Sequence, residues 1–378
     1  MEERKTIIVS LSLQAIASVA AKYELEFLDA AERLSTFFRS IGVNRVFEIS
    51  FARHLALHEN QREFIGRFRE RANGGEDRPC MLSSVCPGFV CYVEKTHGEL
   101  LTPLLSTVKS PQQVFGSLLK QIWSANERLR PDRIFHISLM PCFDKKLEAS
   151  RKEFIIGNEN HEVDCVLTPI ELESMLLTSN CALNAIQPTK LDNFLGNFAD
   201  LQNLKDKFDC RQAIRSHLGS GSGGYAESLY RMISRVIFDQ QIPANSELNF
   251  NMRRNKDYAE LDLVVQERVV FRTAIINGFR NIQTLIQRIK RGTCKYDYVE
   301  VMACPSGCLN GGGLLKEVSL EVVQRLYSDL SKHTLDDLEQ DFISLYEQWF
   351  DSEAKIRKYL HTTFNIIPKM KSSININW

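Results

Sequence analysis

An α/β protein of mostly parallel sheets flanked by helices is the fold this sequence predicts, and three observations point to it. Short β-branched runs alternate with stretches of helical periodicity through most of the chain. Apolar residues make up 44% of the 378 residues and charged ones 25%, enough to bury a sizeable core. Several of the strand candidates run into Pro/Gly turns that carry cysteine, a layout expected at the ligand-binding end of an open sheet. At roughly 100–200 residues per domain, the length fits two domains or three.

The elements follow in order. Thr6–Leu11 is a β-branched strand candidate, and Phe27–Arg39 reads as a helix with Leu28, Ala31, Leu34, Phe37 and Phe38 on one face, stopped by Gly42. Arg45–Ile49 is a second strand. His54–Arg71 is a charged amphipathic helix closed by Gly74-Gly75. Met81–Val85 is a strand ending at Cys86. Ser110 as N-cap, Pro111 at the first helical position and Gln113 as the partner in a capping box open a helix to about Leu129. Arg133–Leu139 is a buried strand ending at Met140-Pro141-Cys142. Asp164–Leu167 is a short strand with a helix from Pro169, and residues 178–218 are irregular and partly helical. Gly219–Gly224 leads into a helix from Tyr225 to about Phe238. Glu260–Ile276 is a β-hairpin turning at Gln266-Glu267. Asn281–Lys290 is helical, Tyr296–Met302 is a strand ending at Cys304, and Glu317–Leu360 is helical with a break around His333.

Composition narrows the function. Lys+Arg and Asp+Glu both number 47, so net charge gives no support to nucleic-acid or anionic-membrane binding. No apolar run reaches the roughly 18–20 residues of a membrane span. The opening MEERKTIIVSLSLQAIASVAA makes a poor signal peptide: its n-region has mixed charge, and Ser10, Ser12 and Gln14 break the apolar stretch. Ten cysteines without a secretory signal suggest an intracellular protein with free thiols or metal ligands.

Four cysteines share an unusual setting: Cys86 in Cys86-Pro87-Gly88, Cys142 after Met140-Pro141, and Cys304 and Cys308 in Cys304-Pro305-Ser306-Gly307-Cys308, before Leu309-Asn310-Gly311-Gly312-Gly313. A residue before proline is pushed into extended geometry, which carries a strand straight to its thiol before the chain turns. The glycines let bare backbone approach something bulky, with N–H groups free to face sulfur or an anion. Four thiolates so gathered suit an iron–sulfur cluster, which is commonly held by four cysteine ligands. Zinc is the competing metal, but its structural sites pair cysteines in compact knuckles, whereas Cys86 and Cys142 stand alone, 56 positions apart. Cys80, Cys91, Cys165, Cys181, Cys210 and Cys294 lack this setting and read as core thiols.

Three ordered motifs then carry a resemblance. Ser84-Val85-Cys86-Pro87-Gly88-Phe89, Met140-Pro141-Cys142-Phe143-Asp144-Lys145-Lys146-Leu147-Glu148 and Met302-Ala303-Cys304-Pro305-Ser306-Gly307-Cys308-Leu309-Asn310-Gly311-Gly312-Gly313 resemble the three cluster motifs of iron-only hydrogenases. Within that superfamily the chain is similar to the hydrogenase-like proteins of cytosolic iron–sulfur assembly, also described as nuclear prelamin A recognition factor-like. Supporting segments include Cys91-Tyr92-Val93-Glu94-Lys95-Thr96-His97-Gly98, Gly278-Phe279-Arg280-Asn281-Ile282-Gln283 and Leu360-His361-Thr362-Thr363.

The resemblance implies two α/β lobes with a 4Fe-4S cluster in the cleft between them, held by Cys86, Cys142, Cys304 and Cys308. A first lobe would cover 1–132, a second 133–316, and C-terminal helices and a tail 317–378. True hydrogenases carry a proton-passing cysteine where this chain has Val85, so hydrogen turnover is not expected. The implied role is non-enzymatic: linking the early assembly scaffold to the late targeting complex, made of WD40-repeat and partner subunits, that matures extramitochondrial iron–sulfur proteins. The implied place is the cytoplasm, with the nucleus as a second compartment. Family members usually carry an N-terminal region with four more cysteines for a second cluster. This chain has no cysteine before Cys80, so that cluster has no ligands here. Leu314 and Phe89 stand where the family has glutamine and tryptophan. Ile376-Asn377-Trp378 resembles the tail that engages the targeting complex, with Asn377 where an acidic residue is usual.

Weaker signals remain. Gly219-Ser220-Gly221-Ser222-Gly223-Gly224 matches G-x-G-x-x-G without a clear preceding strand, so a flexible helix entry is favoured over a nucleotide site. Glu94, Lys95 and His97 read as a solvated helix start, not an acid–base group. Lys145 reads either as a surface lysine or as a group that tunes a cluster thiolate. Arg288–Arg291 reads as a solvated helix end. Two other functions compete with assembly: a cluster-dependent redox enzyme of hydrogenase type, and a binding module whose cluster is vestigial.

Overall fold

In the computed structural model, which describes residues 5–72, 80–157, 159–219, 223–243, 246–253 and 255–368, the first β-branched run becomes β1 (Thr6–Leu11), buried on both faces as a central parallel strand must be. The other strands of the two main sheets, in chain order, are β2 (Arg45–Glu48), β3 (Met81–Ser83), β4 (Ile134–Leu139), β5 (Cys165–Leu167), β6 (Asn251–Met252), β7 (Tyr258–Val265), β8 (Arg268–Asn277) and β9 (Tyr298–Met302). One sheet has the order β2-β1-β4-β5 and is parallel throughout. The other has the order β3-β9-β8-β7-β6, parallel from β3 to β8 and antiparallel beyond.

Alternation along the strands feeds a core on each side of each sheet. Ile8 faces one apolar cluster with Phe47, Phe115 and Ile134, while Val9 faces another with Ile16, Leu34 and Val46. In the second sheet Val299 and Val301 face one cluster and Tyr298 the opposite one. The hairpin turns where expected: Gln266 and Glu267 both hold left-handed backbone, φ 48° and 62°, the conformation a two-residue turn between twisted strands demands.

The helices used below are α1 (Leu13–Tyr23), α2 (Phe27–Ser40), α3 (Ser50–Ala72), α4 (Pro87–Thr96), α5 (Pro111–Leu118), α6 (Asp144–Ala149), α7 (Pro169–Thr178), α8 (Tyr225–Val236) and α9 (Phe279–Lys290). Three more, Leu320–Ser328, Leu335–Trp349 and Glu353–Leu360, form the C-terminal part, broken by a short strand at Lys332–His333. The segment screened as a signal peptide holds α1, whose Ser12 hydroxyl caps the Ala15 N–H at 3.3 Å. The capping box expected at Ser110 does not form: its hydroxyl donates to Glu148 at 3.0 Å, and both amide atoms of Gln113 are buried with no hydrogen-bond partner among the described residues. Beyond α5 the chain continues as a π-helical turn, Leu119–Trp123. Gly74-Gly75 lie outside the described residues.

Neither sheet keeps to the contiguous spans 1–132 and 133–316. β3 lies within the first span yet pairs with β9, while β4 and β5 lie within the second yet complete the sheet of β1. The chain crosses between lobes repeatedly, and α3 bolts them together. Its Phe51 and Leu55 pack on the first sheet and its Leu57 and Phe64 on the second. Between them lies a buried polar stripe. Asn60 Nδ2 donates to Ser83 Oγ at 3.2 Å and Ser106 Oγ at 2.9 Å, Tyr298 donates to Asn60 Oδ1 at 2.6 Å, and Gln61 bonds Ser228. Glu59 takes His361 at 2.9 Å and the Tyr346 hydroxyl.

Candidate metal centre

β3, β4 and β9 come from two sheets, and each ends a few residues before a cysteine of interest. Cys86 is the N-cap of α4, extended at φ −97°, ψ 108°, with Pro87 at the first helical position. Its sulfur therefore sits at a helix N-terminus and faces the backbone N–H groups of Gly88, Phe89 and, from the end of the neighbouring strand β9, Ala303. The Cys142 sulfur accepts the Asp144 N–H at 3.3 Å, at the opening of α6. Cys304 accepts from the Gly312 N–H. Cys308 follows a tight turn in which Ser306 and Gly307 both have positive φ, and its sulfur lies 4.0 Å from Met302 Sδ.

Three contacts show that the motifs meet. Gly88 of the first is pressed between the other two: a Cβ there would stand 2.6 Å from Asp144 Oδ2 and 3.6 Å from the Ala303 Cβ. Gly313 N–H of the third donates to Pro141 O of the second at 2.9 Å, and a Cβ on Gly311 would collide with the same carbonyl. Lys145 of the second donates to Val85 O of the first at 3.0 Å. The thiols are electrostatic neighbours in consequence: Cys142 feels Cys86 and Cys304, while Cys308 feels Cys86 and Cys304.

Burial pushes all four thiols up, Cys142 to about 11 and Cys308 to about 12, and the neighbouring sulfurs add to the effect on Cys142, Cys304 and Cys308. The Lys145 ammonium works against this at Cys86 and Cys308, and the Arg53 guanidinium at Cys308. Such a pocket favours four neutral thiols until a strongly cationic group arrives to exchange for their protons. Among the described residues no group of three or more His, Cys, Asp or Glu side chains closes on a single-ion position, as a zinc knuckle would. A cube-shaped cluster makes a different demand: each cysteine binds its own iron, so the sulfurs surround the group and do not point at one atom.

Burial reverses part of the sequence reading. Cys86 is buried, but so are Cys80 and Cys210 alone of the six expected core thiols; Cys91, Cys165, Cys181 and Cys294 are partly exposed. Lys145 is a buried residue, not a surface one, paired with Glu148 at 2.7 Å, which also accepts from Ser110 and Gln112. Glu94 is not at a solvated helix start. It lies in the last turn of α4, is buried, and binds both Arg151 nitrogens at 2.7 and 2.8 Å. Of the glycine-rich stretch, 220–222 lie outside the described residues, and Gly223 packs against Glu300 and Met302. Arg288 lies across Tyr258 and Tyr296, bonding both hydroxyls at 2.7 Å, and is not a purely solvated end. Ile376-Asn377-Trp378 lie outside the described residues. Sequence reasoning missed Arg53, which donates to His217 at 3.0 Å and Gly223 O at 3.2 Å from inside α3. A charged helix gives no local sign of which charges turn inward.

With this geometry in place, comparison with known proteins gives consistent results. The family described as iron only hydrogenase large subunit, C-terminal domain, matches residues 5–312. The rat protein named cytosolic iron-sulfur assembly component 3 is 41% identical over 385 residues, spanning 100% of this chain and 78% of the rat protein. The zebrafish cytosolic Fe-S cluster assembly factor narfl is 39% identical, spanning 100% of this chain and 90% of its own. Among solved structures, the FeFe-hydrogenase HydA(deltaEFG) superposes with a TM-score of 0.78 at 22% identity, over 96% of this chain and 94% of that one. At that identity the likeness speaks for the fold alone.

Proposed function

This chain belongs to the family of the iron-only hydrogenase large subunit, C-terminal domain, and from that membership we propose that it is an iron–sulfur-binding component of cytosolic iron–sulfur protein assembly. Its ligands are Cys86, Cys142, Cys304 and Cys308, and its cofactor is one 4Fe-4S cluster held between the two sheets. The observation that carries this reading is the closure of the three motifs at Gly88, where first-motif backbone is wedged between Asp144 and Ala303.

A bound cluster of this type offers a one-electron centre whose potential follows the hydrogen bonds to its sulfurs and its exposure to solvent. The chain's own residues set both. Backbone N–H groups of Gly88, Phe89 and Ala303 face the Cys86 sulfur, and Gly312 faces Cys304. Lys145 brings a positive charge beside Cys86 and Cys308 without ligating, its hydrogen bonds spent on Glu148 and Val85 O. Val85 has no titratable proton, which removes the acid–base group that hydrogen turnover would need at this point. The reading is therefore non-enzymatic, in the cytoplasm with a nuclear pool. Contact with a WD40-containing targeting complex runs through Ile376-Asn377-Trp378. Among the described residues no helix is long and apolar enough to cross a membrane.

Anaerobic purification tests the core of this. The protein should be brown with about four irons per chain, and cells lacking it should recover cytosolic iron–sulfur enzyme activities with wild type but not with C304A. Colourless protein with stoichiometric zinc would overturn the ligand reading. Rescue by C304A would favour a binding module, and viologen-driven hydrogen evolution abolished by C308A would favour the enzyme.

A further inference from the structure

We propose that Cys80 and Cys294 form a hydroperoxide-responsive dithiol, closing to a disulfide that staples the starts of β3 and β9. Cys80 directly precedes β3, and Cys294 lies on the connection from α9 to β9. The two strands pair in parallel with Met81 opposite Tyr298, and the Met81 N–H donates to Asp297 O at 2.9 Å, which draws the two cysteines together just ahead of the strands. Both side chains belong to one apolar cluster, in which Cys80 is 4% exposed and Cys294 sits at the edge. The two thiols act on each other as neighbours, and the Cys80 thiol has the Met81 carbonyl 3.8 Å away as a further acceptor.

The pair is asymmetric in the way a sensing dithiol requires. Cys294 is partly exposed and is held down to about 7 by the Cys80 thiol, the Tyr296 N–H and the Arg288 guanidinium, against burial and the Asp297 carboxylate. Cys80, enclosed behind it, is pushed well up by burial. A low-pKa accessible thiolate beside a buried resolving thiol is the arrangement that selects for oxidation. Cys91 and Cys165 are equally reachable but are pushed up by burial, with no second thiol among the groups that act on either.

The chemistry balances with a hydroperoxide as oxidant. The Cys294 thiolate attacks one peroxide oxygen, an S–O bond forms, the O–O bond breaks and, with one proton, water leaves. Cys80, losing its proton, then attacks the Cys294 sulfur; the S–S bond forms, the S–O bond breaks and a second water leaves. Two thiols lose two electrons in all, and hydrogen peroxide is reduced to two waters. The closed form ties the entry ends of the two strands whose far ends lead to Cys86 and Cys304. In a reducing cytosol such a bridge is transient, which suits a sensor and not a structural staple.

The test uses the anaerobically purified full chain and hydrogen peroxide. In wild type at pH 7, iodoacetamide should label Cys294 about tenfold faster than Cys91 or Cys165, since roughly half of it is thiolate against a few per cent for an unperturbed thiol. Stoichiometric peroxide should yield a linked peptide joining Cys80 and Cys294, reversed by dithiothreitol. In C80S a sulfenic acid should persist at Cys294 and be captured by dimedone. Labelling of Cys294 no faster than of Cys91, or links that join Cys80 or Cys294 to other cysteines instead, would overturn the proposal. Neither readout depends on cluster content, so the assignment of Cys86, Cys142, Cys304 and Cys308 stands or falls separately.

Discussion

Lys145 reaches out of the second motif to place its ammonium 3.0 Å from the carbonyl of Val85, the residue immediately before Cys86. That bond spans the cleft between the two sheets. The same nitrogen is 2.7 Å from Glu148, with both side chains about nine-tenths buried (9% and 11% exposed). Lys145 thus joins the loops of two proposed ligands through a buried ion pair.

Replacing it tests the clamp. K145M strands the Glu148 carboxylate in the interior, and breaking a buried pair costs about 3–5 kcal/mol. Denaturant melting should show that loss, and chelator-driven release of iron should be faster than in wild type. A variant as stable as wild type with unchanged iron release would refute the clamp.

Gly311 has no room for a methyl group. In G311A the new Cβ would collide with the Pro141 carbonyl, a backbone group that cannot swing aside, and overpacking of this kind costs about 1–3 kcal/mol. We expect a folded protein by circular dichroism with well under half the wild-type iron, because the second and third motifs are pushed apart. Full iron content in G311A would contradict the convergence argument.

The proposed ligands should themselves report on stability. Cys142 and Cys304 are far apart in sequence, so a shared cluster closes long loops and binds only the folded chain. C142A and C304A should lose iron and melt at lower temperature together; iron loss with unchanged melting would break that link.

Two buried groups give opposite pH signatures. His136 lies between Ser10 Oγ at 2.8 Å and Glu162 O at 2.9 Å, and burial holds it down to about 4 from 6.5. Between those values the unfolded chain takes up a proton that the folded one refuses. Its contribution is full above pH 6.5 and is lost toward pH 4, at about 1.4 kcal/mol per pH unit. Glu48, whose carboxylate accepts from the Ser50 N–H and hydroxyl, is raised by burial to about 7 from 4.5. Here the folded chain holds the proton, so the contribution is full below pH 4.5 and is lost as pH rises through 7. Urea unfolding across this range should show a shallower acid slope in H136Q and the opposite change in E48Q. Slopes identical to wild type in both would rule the assignment out.

Asn60 tests how the lobes are bolted. N60A removes the acceptor of the Tyr298 hydroxyl and the donor to Ser83 and Ser106, all buried, at a cost of about 1–3 kcal/mol. Amide exchange should accelerate first in β3 and β9, the strands nearest the loss. Protection lost evenly over the whole chain would argue against a local bolt.

Much of this protein is legible from local chemistry. The strand β1, the Gln266-Glu267 turn and the four cysteines in Pro/Gly settings depend on residues next to one another in the chain, so period, turn chemistry and flanking residues were enough to find them. Three motifs in order were enough to indicate the family. Only the folded chain decided which sheet each strand joins, because β3 pairs with a partner more than two hundred residues away and nothing local encodes that choice. The same holds for the inward charges of α3, for Lys145 bonded to Val85, and for Cys80 meeting Cys294. Each depends on burial and contact between distant segments, and those exist only once both sheets have closed around the shared helix.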